Sequence, residues 1–325
     1  MRAIVIQQYG GPEQLGIQDL PVPDPASGRV LIEVKAFGLN HAEIYFRSGI
    51  WGEVAKVSGI ECVGVVKSDP DGRFRPGQKV AALMGGMGRT FNGSYAEYTS
   101  VPSTNVVPLN TEMTWTDLAA LPESYATAWT CLNRNLGIRS GHVLLVRGAT
   151  SALGQAAVNI AVHAGAQVIA TSRNKDRFPK LEALGARPLI EGADLSRRIR
   201  QLNPAGIDSV LELVGTSTLI DSLTAVRPDG RVCMAGFLGG GAPIASFNPL
   251  VDMPSGVHLS FFASAFTFGS AEYPLSDIPF QTIADRASAG VYQAKPAKVF
   301  RFDEIQDAHR LMESNQANGK IVVEI

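Results

Sequence analysis

Few cysteines, no long hydrophobic run and no excess of either charge mark this chain, and each absence closes off a class of function. Its 325 residues include three cysteines, Cys62, Cys131 and Cys233, far apart and without paired spacing. That argues against a disulfide framework or a zinc knuckle and fits a reduced, cytoplasmic compartment. No segment reaches the roughly 18 uninterrupted apolar residues of a membrane span. The opening Met1 to Ile6 reads as a strand, since it lacks the apolar core and cleavage site of a signal peptide. Lys and Arg number 29 against 30 Asp and Glu, a net charge of −1 that gives no field to gather nucleic acid or an anionic membrane surface. With 45% hydrophobic and 18% charged residues the chain is not disordered, and its length favours two domains.

What is present begins with VLLVRGATSALG, Val143 to Gly154. An apolar strand turns through small residues into a helix, the unit that holds a dinucleotide pyrophosphate on a helix N-terminus. Laid on G-x-G-x-x-G, the loop keeps only the last glycine: Ala149, Ser151 and Gly154 fill the three positions. Ser151 therefore either tilts the loop or donates its hydroxyl to a phosphate. The contacts expected of the loop run from Ala149 through Thr150, Ser151, Ala152 and Leu153 to Gly154. A strand–turn–helix without a ligand is the plainer reading of such a motif, and the βαβ spacing around it weighs against that. The second strand, Gln167 to Thr171, ends in Ser172-Arg173-Asn174-Lys175, where an NAD site would carry an acidic residue for the ribose 2′-hydroxyl. A hydroxyl and a guanidinium suit a 2′-phosphate, so NADPH is the expected cofactor. Arg173 is the better ligand; Lys175 is a second candidate, although it and Arg177 also suit a solvated helix start.

Residues 1 to about 120 carry β signals. Arg29 to Phe37 alternates apolar and polar, and 61–66, 79–83 and 94–101 are further strands, punctuated by Gly and Pro. The region reads as a barrel-like β domain. Near Thr114 helical runs 116–121 and 125–135 lead into alternating elements, with strands expected at 143–147, 167–171, 187–190, 208–213 and 230–235. Strict alternation predicts a parallel sheet covered on both faces. After about Phe261 the pattern is mixed: helix 278–289, strand 298–302, helix 303–314 and strand 320–324. The last segment has no sheet of its own, so it is expected to complete the β domain. The nucleotide domain (122–261) would then be inserted into a discontinuous one (1–121 and 262–325).

Six motifs follow in one order: GLNHAEIYFRSG (38–49), GIECVG (59–64), GSYAEY (93–98), the nucleotide loop with GIDSVLELVG (206–215), RPDGR (227–231) and NGKIVV (318–323). Together they resemble the medium-chain dehydrogenase/reductase superfamily, in its zinc-free quinone-oxidoreductase branch that includes zeta-crystallin, over nearly the whole length. The resemblance implies an α/β fold: a Rossmann-type doubly wound parallel sheet inserted in a GroES-like β-barrel catalytic domain. It also implies a homodimer. In the more distant zinc alcohol dehydrogenases a cysteine ligand falls at Asn40 and a histidine ligand at Ile60, and neither residue here can ligate zinc. The four-cysteine lobe is missing too, so no metal is expected. Without a Lewis acid, quinones and conjugated enones are the suitable acceptors, because hydride addition gives a delocalised anion.

The resemblance places Tyr45 on the substrate side, where its phenol could donate to the oxyanion or stack on a ring. Asn40 would face the cofactor cleft and bond the substrate oxygen, or merely cap its own loop. These two are the catalytic candidates. Glu43 and Arg47 read as a structural ion pair or loop anchors, and Glu61 as a support. His41 is more often a hydrogen-bonded boundary residue than a proton donor, and Glu123 suits a helix N-terminus. Thr127, Val214, Gly215, Phe237 and Leu238 are expected around the cofactor; Lys320 resembles the family's C-terminal cofactor-side lysine, within reach of phosphate, or is a solvated terminal lysine. Phe261, Phe262, Phe266 and Phe268 read as a core or interface cluster, or as the wall of an apolar pocket. The expected activity is NADPH-dependent hydride transfer to a quinone or other conjugated carbonyl. Reduction of a 2-alkenal or enoyl-thioester double bond is the near alternative, and an NADPH-binding sensor or structural protein the distant one. RNA binding is disfavoured by the neutral charge and the missing basic-aromatic stripe.

Overall fold

The computed structural model describes residues 1–24 and 26–325. It divides into two units, Met1–Ala126 with Ser264–Ile325, and Thr127–Ala263. The division falls inside a helix, a few residues later than the sequence suggested, because the start of that helix is bound to the first unit. The Glu123 amide donates to Glu61 Oε2 at 2.8 Å, and Tyr125 stacks on Tyr292 with centroids 5.5 Å apart.

The first unit begins with a hairpin, β1 (Arg2–Ile6) against β2 (Leu15–Asp19). There follow β3 (Arg29–Gly38), α1 (His41–Arg47), β4 (Glu61–Ser68), β5 (Lys79–Leu83), β6 (Tyr98–Pro102), β7 (Val106–Pro108) and α2 (Trp115–Leu118). The alternation read in β3 holds only from Ile32 to Lys35: Ile32 and Val34 are buried in the core with Ile4, Phe37, Val80 and Val101 while Glu33 and Lys35 stay partly exposed, but Leu31 and Ala36 are buried as well. α3 (Pro122–Thr130) then ends in a π turn, Cys131–Asn135.

The second unit contains β8 (Val143–Arg147), α4 (Ala152–His163), β9 (Gln167–Ser172), α5 (Phe178–Ala183), β10 (Arg187–Ile190), α6 (Leu195–Leu202), β11 (Ile207–Glu212), α7 (Thr216–Ala225), β12 (Val226–Met234), α8 (Pro249–Asp252) and β13 (His258–Phe261). Its sheet has the order β10-β9-β8-β11-β12-β13, every pairing parallel. The short edge strand β13 was not among the strands read from sequence. Leu145, Val210 and Val232 pack with Leu195, Ile199, Leu219 and Leu223 in the core. Strand order reverses between β8 and β11, and in open α/β sheets that switch point opens a crevice outside the strand C-termini.

The chain returns to the first unit through α9 (Ser264–Thr267), α10 (Phe280–Ser288), β14 (Lys298–Arg301), α11 (Ile305–Glu313) and β15 (Ile321–Glu324). β15 pairs antiparallel with β3 and parallel with β14, completing a seven-stranded sheet in which β6 also pairs with β3. The closing segment therefore does complete the β unit.

Candidate functional site

Helix α4 starts at Ser151, whose Oγ accepts the Gly154 amide at 3.0 Å and donates to the Gly148 carbonyl at 2.9 Å. The Ser151 hydroxyl thus serves as the N-cap of α4, a role not among the two read from the sequence. Capping leaves the Ala152 and Leu153 amides, which have no acceptor one turn earlier in the helix, at its open positive end. Gly154 permits the close approach of loop and helix, since a Cβ there would lie 2.6 Å from both Ala149 Cα and the Gly148 oxygen. Ala149 is buried beneath the loop, and the Thr150 carbonyl accepts from Gln155 at 2.8 Å.

At the end of β9 Ser172 is buried, and its Oγ donates to the Asn174 carbonyl and accepts the Asn174 amide. Arg173 and Lys175 are exposed. Lys175 opens a 3₁₀ turn capped by Asn174, the solvated helix start foreseen for it. Arg177 closes the same turn, as the sequence placed it, and directs its guanidinium to Thr150 Oγ1 at 3.4 Å. It is the basic side chain that links the β9 turn to the phosphate loop.

Across the switch point, Val214 and Gly215 donate their amides to Glu212 Oε1 at 2.7 and 3.0 Å. The Leu238 amide donates to the Leu213 carbonyl at 3.1 Å, and a Cβ on Gly148 would lie 2.8 Å from Leu238 Cδ1. Loop 148–154, Val214–Gly215 and Phe237–Leu238 therefore converge at one end of the sheet. Thr127 is buried on α3.

The first unit holds a second polar cluster. Lys320, 5% exposed, was expected within reach of phosphate or in solvent. Its ammonium instead ion-pairs with Glu61 and donates to Asn40 Oδ1 at 2.7 Å. Asn40 Nδ2 donates to Glu61 Oε1 at 2.9 Å and lies 3.4 Å from Glu43 Oε1. Both ends of the amide are thus engaged by protein. The Glu43 carboxylate end accepts the Asn40 and Ile60 amides; burial pushes its acid up to about 8, against the pull of Lys320. His41 is held below its ordinary value, first by burial and against a hydrogen bond with Asn315.

Arg47 does not pair with Glu43. Fully buried, it pairs with Glu313, bonds the Gly10 carbonyl and donates from Nε to His309 Nδ1 at 3.4 Å. The loop-anchor half of that expectation is what the structure contains. Tyr45 packs against Trp51 with the rings tilted by 39° and centroids 4.9 Å apart, and burial raises its phenol so that it keeps its proton at neutral pH. Trp51, 47% exposed, was missed because nothing in its sequence context marks it. Glu123 occupies the first turn of α3, in keeping with the helix-terminus reading. Phe262 and Phe268 are buried, Phe261 and Phe266 exposed, and they divide between the two units.

Family models for the alcohol dehydrogenase GroES-like domain and for the zinc-binding dehydrogenase match residues 26–111 and 152–274. A quinone oxidoreductase from Rattus norvegicus is 30% identical over 248 residues, 74% of this chain and 74% of that protein. A 2-haloacrylate reductase from Burkholderia sp is 28% identical over 99% of this chain and 98% of its own. The structure of Pseudomonas syringae pv. Tomato DC3000 quinone oxidoreductase aligns with a TM-score of 0.86 at 25% identity, covering 100% of this chain and 99% of that one. The GroES-like first unit, the parallel Rossmann-type second unit and these relatives make the chain an oxidoreductase enzyme with a site for a nicotinamide cofactor. It belongs to the quinone-oxidoreductase branch of the medium-chain dehydrogenase/reductase superfamily.

Proposed function

We propose that the protein uses NADPH to reduce a quinone or another conjugated carbonyl, without catalytic zinc. The observation that carries the reading is the end of β9. It carries Ser172 and Arg173 where an NAD site has its acidic residue, and Arg177 reaches Thr150, a setting that favours a 2′-phosphate over a bare ribose hydroxyl. When bound, the nicotinamide supplies a hydride. The chain's own part is to hold the pyrophosphate on the α4 amides and the 2′-phosphate on Arg173 and Arg177.

A zinc ion does not suit the first unit's polar cluster. An amide and an aliphatic side chain stand at positions 40 and 60, and the Lys320 ammonium already supplies the cation bonded to Asn40 and Glu61. Among the described residues no group of three His, Cys, Asp or Glu side chains has metal-site geometry. Acceptors whose reduced anion is delocalised need no Lewis acid, which favours quinones and enones over saturated ketones. Tyr45, protonated and packed against Trp51, is the residue suited to donate to the acceptor oxygen or to face its ring. Likeness to the 2-haloacrylate reductase favours an activated double bond as the second acceptor class. The protein is further proposed to act as a homodimer in the cytoplasm; no helix of the described residues is long and apolar enough to cross a membrane.

The test is NADPH consumption by the purified protein with a para-quinone and a 2-alkenal in parallel, repeated with NADH. Oxidation of NADPH in preference to NADH supports the cofactor reading, and the faster acceptor decides the chemistry. NADPH bound but consumed by neither acceptor would turn the reading to a sensor without turnover.

A further inference from the structure

The last residue of β8, Arg147, is a charged side chain with no exposed surface, directly before the phosphate loop. Its guanidinium pairs with Glu191 through two nitrogens, with Asp221 Oδ2 at 2.7 Å and with Glu212 Oε2 at 3.7 Å. It also donates to the Thr218 carbonyl at 3.2 Å and to Ser222 Oγ at 3.1 Å. A guanidinium with this fork of partners satisfies buried carboxylates as no ammonium can.

Among the three carboxylates, Glu191 lies nearest the cofactor's adenosine side. It follows β10, whose Ile190 is in register with Ser172, and its own amide donates to the Ser172 carbonyl at 3.0 Å. Its Oε2 accepts Thr171 Oγ1 at 2.8 Å, and that hydroxyl accepts the Gly148 amide at 3.3 Å. Adjacent strands run about 4.8 Å apart, so a carboxylate stands one strand away from the turn that bears Ser172, Arg173 and Arg177. A free negative charge at that distance opposes a 2′-phosphate for the same reason that an acidic residue on the second strand selects NAD.

We infer that Arg147 is a specificity-determining positioning residue: by binding Glu191 inward and cancelling its charge, it makes the end of β9 acceptable to a 2′-phosphate. The inference rests on the NADPH reading above. It adds that the preference depends on a side chain behind the loop as well as on the basic residues that face the phosphate. Arg147 acts through Glu191 and touches no cofactor itself.

The experiment measures dissociation constants of NADPH and NADH by fluorescence titration, so that no acceptor is involved. A unit charge released near the phosphate lowers the NADPH-over-NADH affinity ratio by about tenfold in Arg147→Gln. The double variant Arg147→Gln with Glu191→Gln brings the ratio back to within about threefold of the parent, since the charge responsible is gone. A merely structural role for Arg147 would weaken both cofactors alike and leave the ratio unmoved. Should Arg147→Gln fail to fold, Arg147→Gln with Glu212→Gln removes the most deeply buried orphaned carboxylate while leaving Glu191 charged, and the same fall is expected. A folded variant with the parental ratio, or a ratio that stays low after Glu191→Gln is added, overturns the inference. A parent protein that prefers NADH overturns the cofactor reading itself, an outcome the same titration separates.

Discussion

Glu43, a carboxyl group with no exposed surface, is held at about 8 against an ordinary 4.5, and His309, equally buried, at about 3 against 6.5. For Glu43 burial is the main cause; for His309 burial leads, aided by Arg47. The two act on stability in opposite directions. The folded state keeps a proton on Glu43 that the unfolded chain releases, so this group's contribution is full below about 4.5 and is lost as pH rises through about 8. Neutral His309 contributes above 6.5, and that contribution is lost as pH falls towards about 3. Thermal melts of Glu43→Gln should therefore gain on the parent steadily as pH rises from 5 to 9; a difference independent of pH would sink the assignment. Lys320 gives a second prediction at this scale. Lys320→Met leaves Glu61 buried without its cation and should cost about 3–5 kcal/mol in urea unfolding, most of it recovered when Glu61→Gln is added. Lys320 also shows why part of the site was illegible in sequence. Its partners lie 280 and 259 positions away, so a reading along the chain saw a terminal lysine near a glycine turn, and the fold made it the counter-ion of Glu61.

α4 and its loop were read correctly in outline because everything that makes them is local: the small residues, the Ser151 cap and Gly154 lie within one turn of chain. Ser151→Ala should cost about 1 kcal/mol of stability, the usual worth of an N-cap, with modest loss of cofactor affinity. Gly154→Ala should cost both stability and cofactor affinity. Its Cβ has no room beside Ala149 and must displace the loop, so weakened NADPH binding, read by titration, should exceed that of Ser151→Ala. Equal affinities in the two variants would mean that the loop does not shape the site. Elements fixed by distant pairing were harder to read. Residues 94–101 look like one strand, yet Ser94 and Tyr95 are bonded to Gly59, Ser58 and Ile4, and the ladder with β3 begins only at Tyr98. β2 and β13 are short, and each depends on a partner strand that sequence periodicity alone does not specify.

The parallel sheet of the second unit has two edges, and they are protected unequally. β10 carries Pro188, which has no N–H to offer a further strand, and Arg187, a charge that discourages pairing. β13, His-Leu-Ser-Phe, has no proline or permanently charged residue, and Leu259 and Phe261 are 38% and 57% exposed. Exposed Leu250 and Val251 on α8 add apolar surface in the same unit. An unguarded apolar edge invites a partner, and a second copy of the same strand, related by a two-fold axis, satisfies its amides and carbonyls without leaving a new edge. The homodimer proposed for this protein is thus expected to form through β13. Sedimentation should find a dimer for the parent. Phe261→Lys with Leu259→Lys, which place charge on the edge while leaving the buried core untouched, should shift it to monomer with the fold retained by circular dichroism. A dimer that survives both substitutions would place the contact elsewhere and leave the open edge of β13 without this partner.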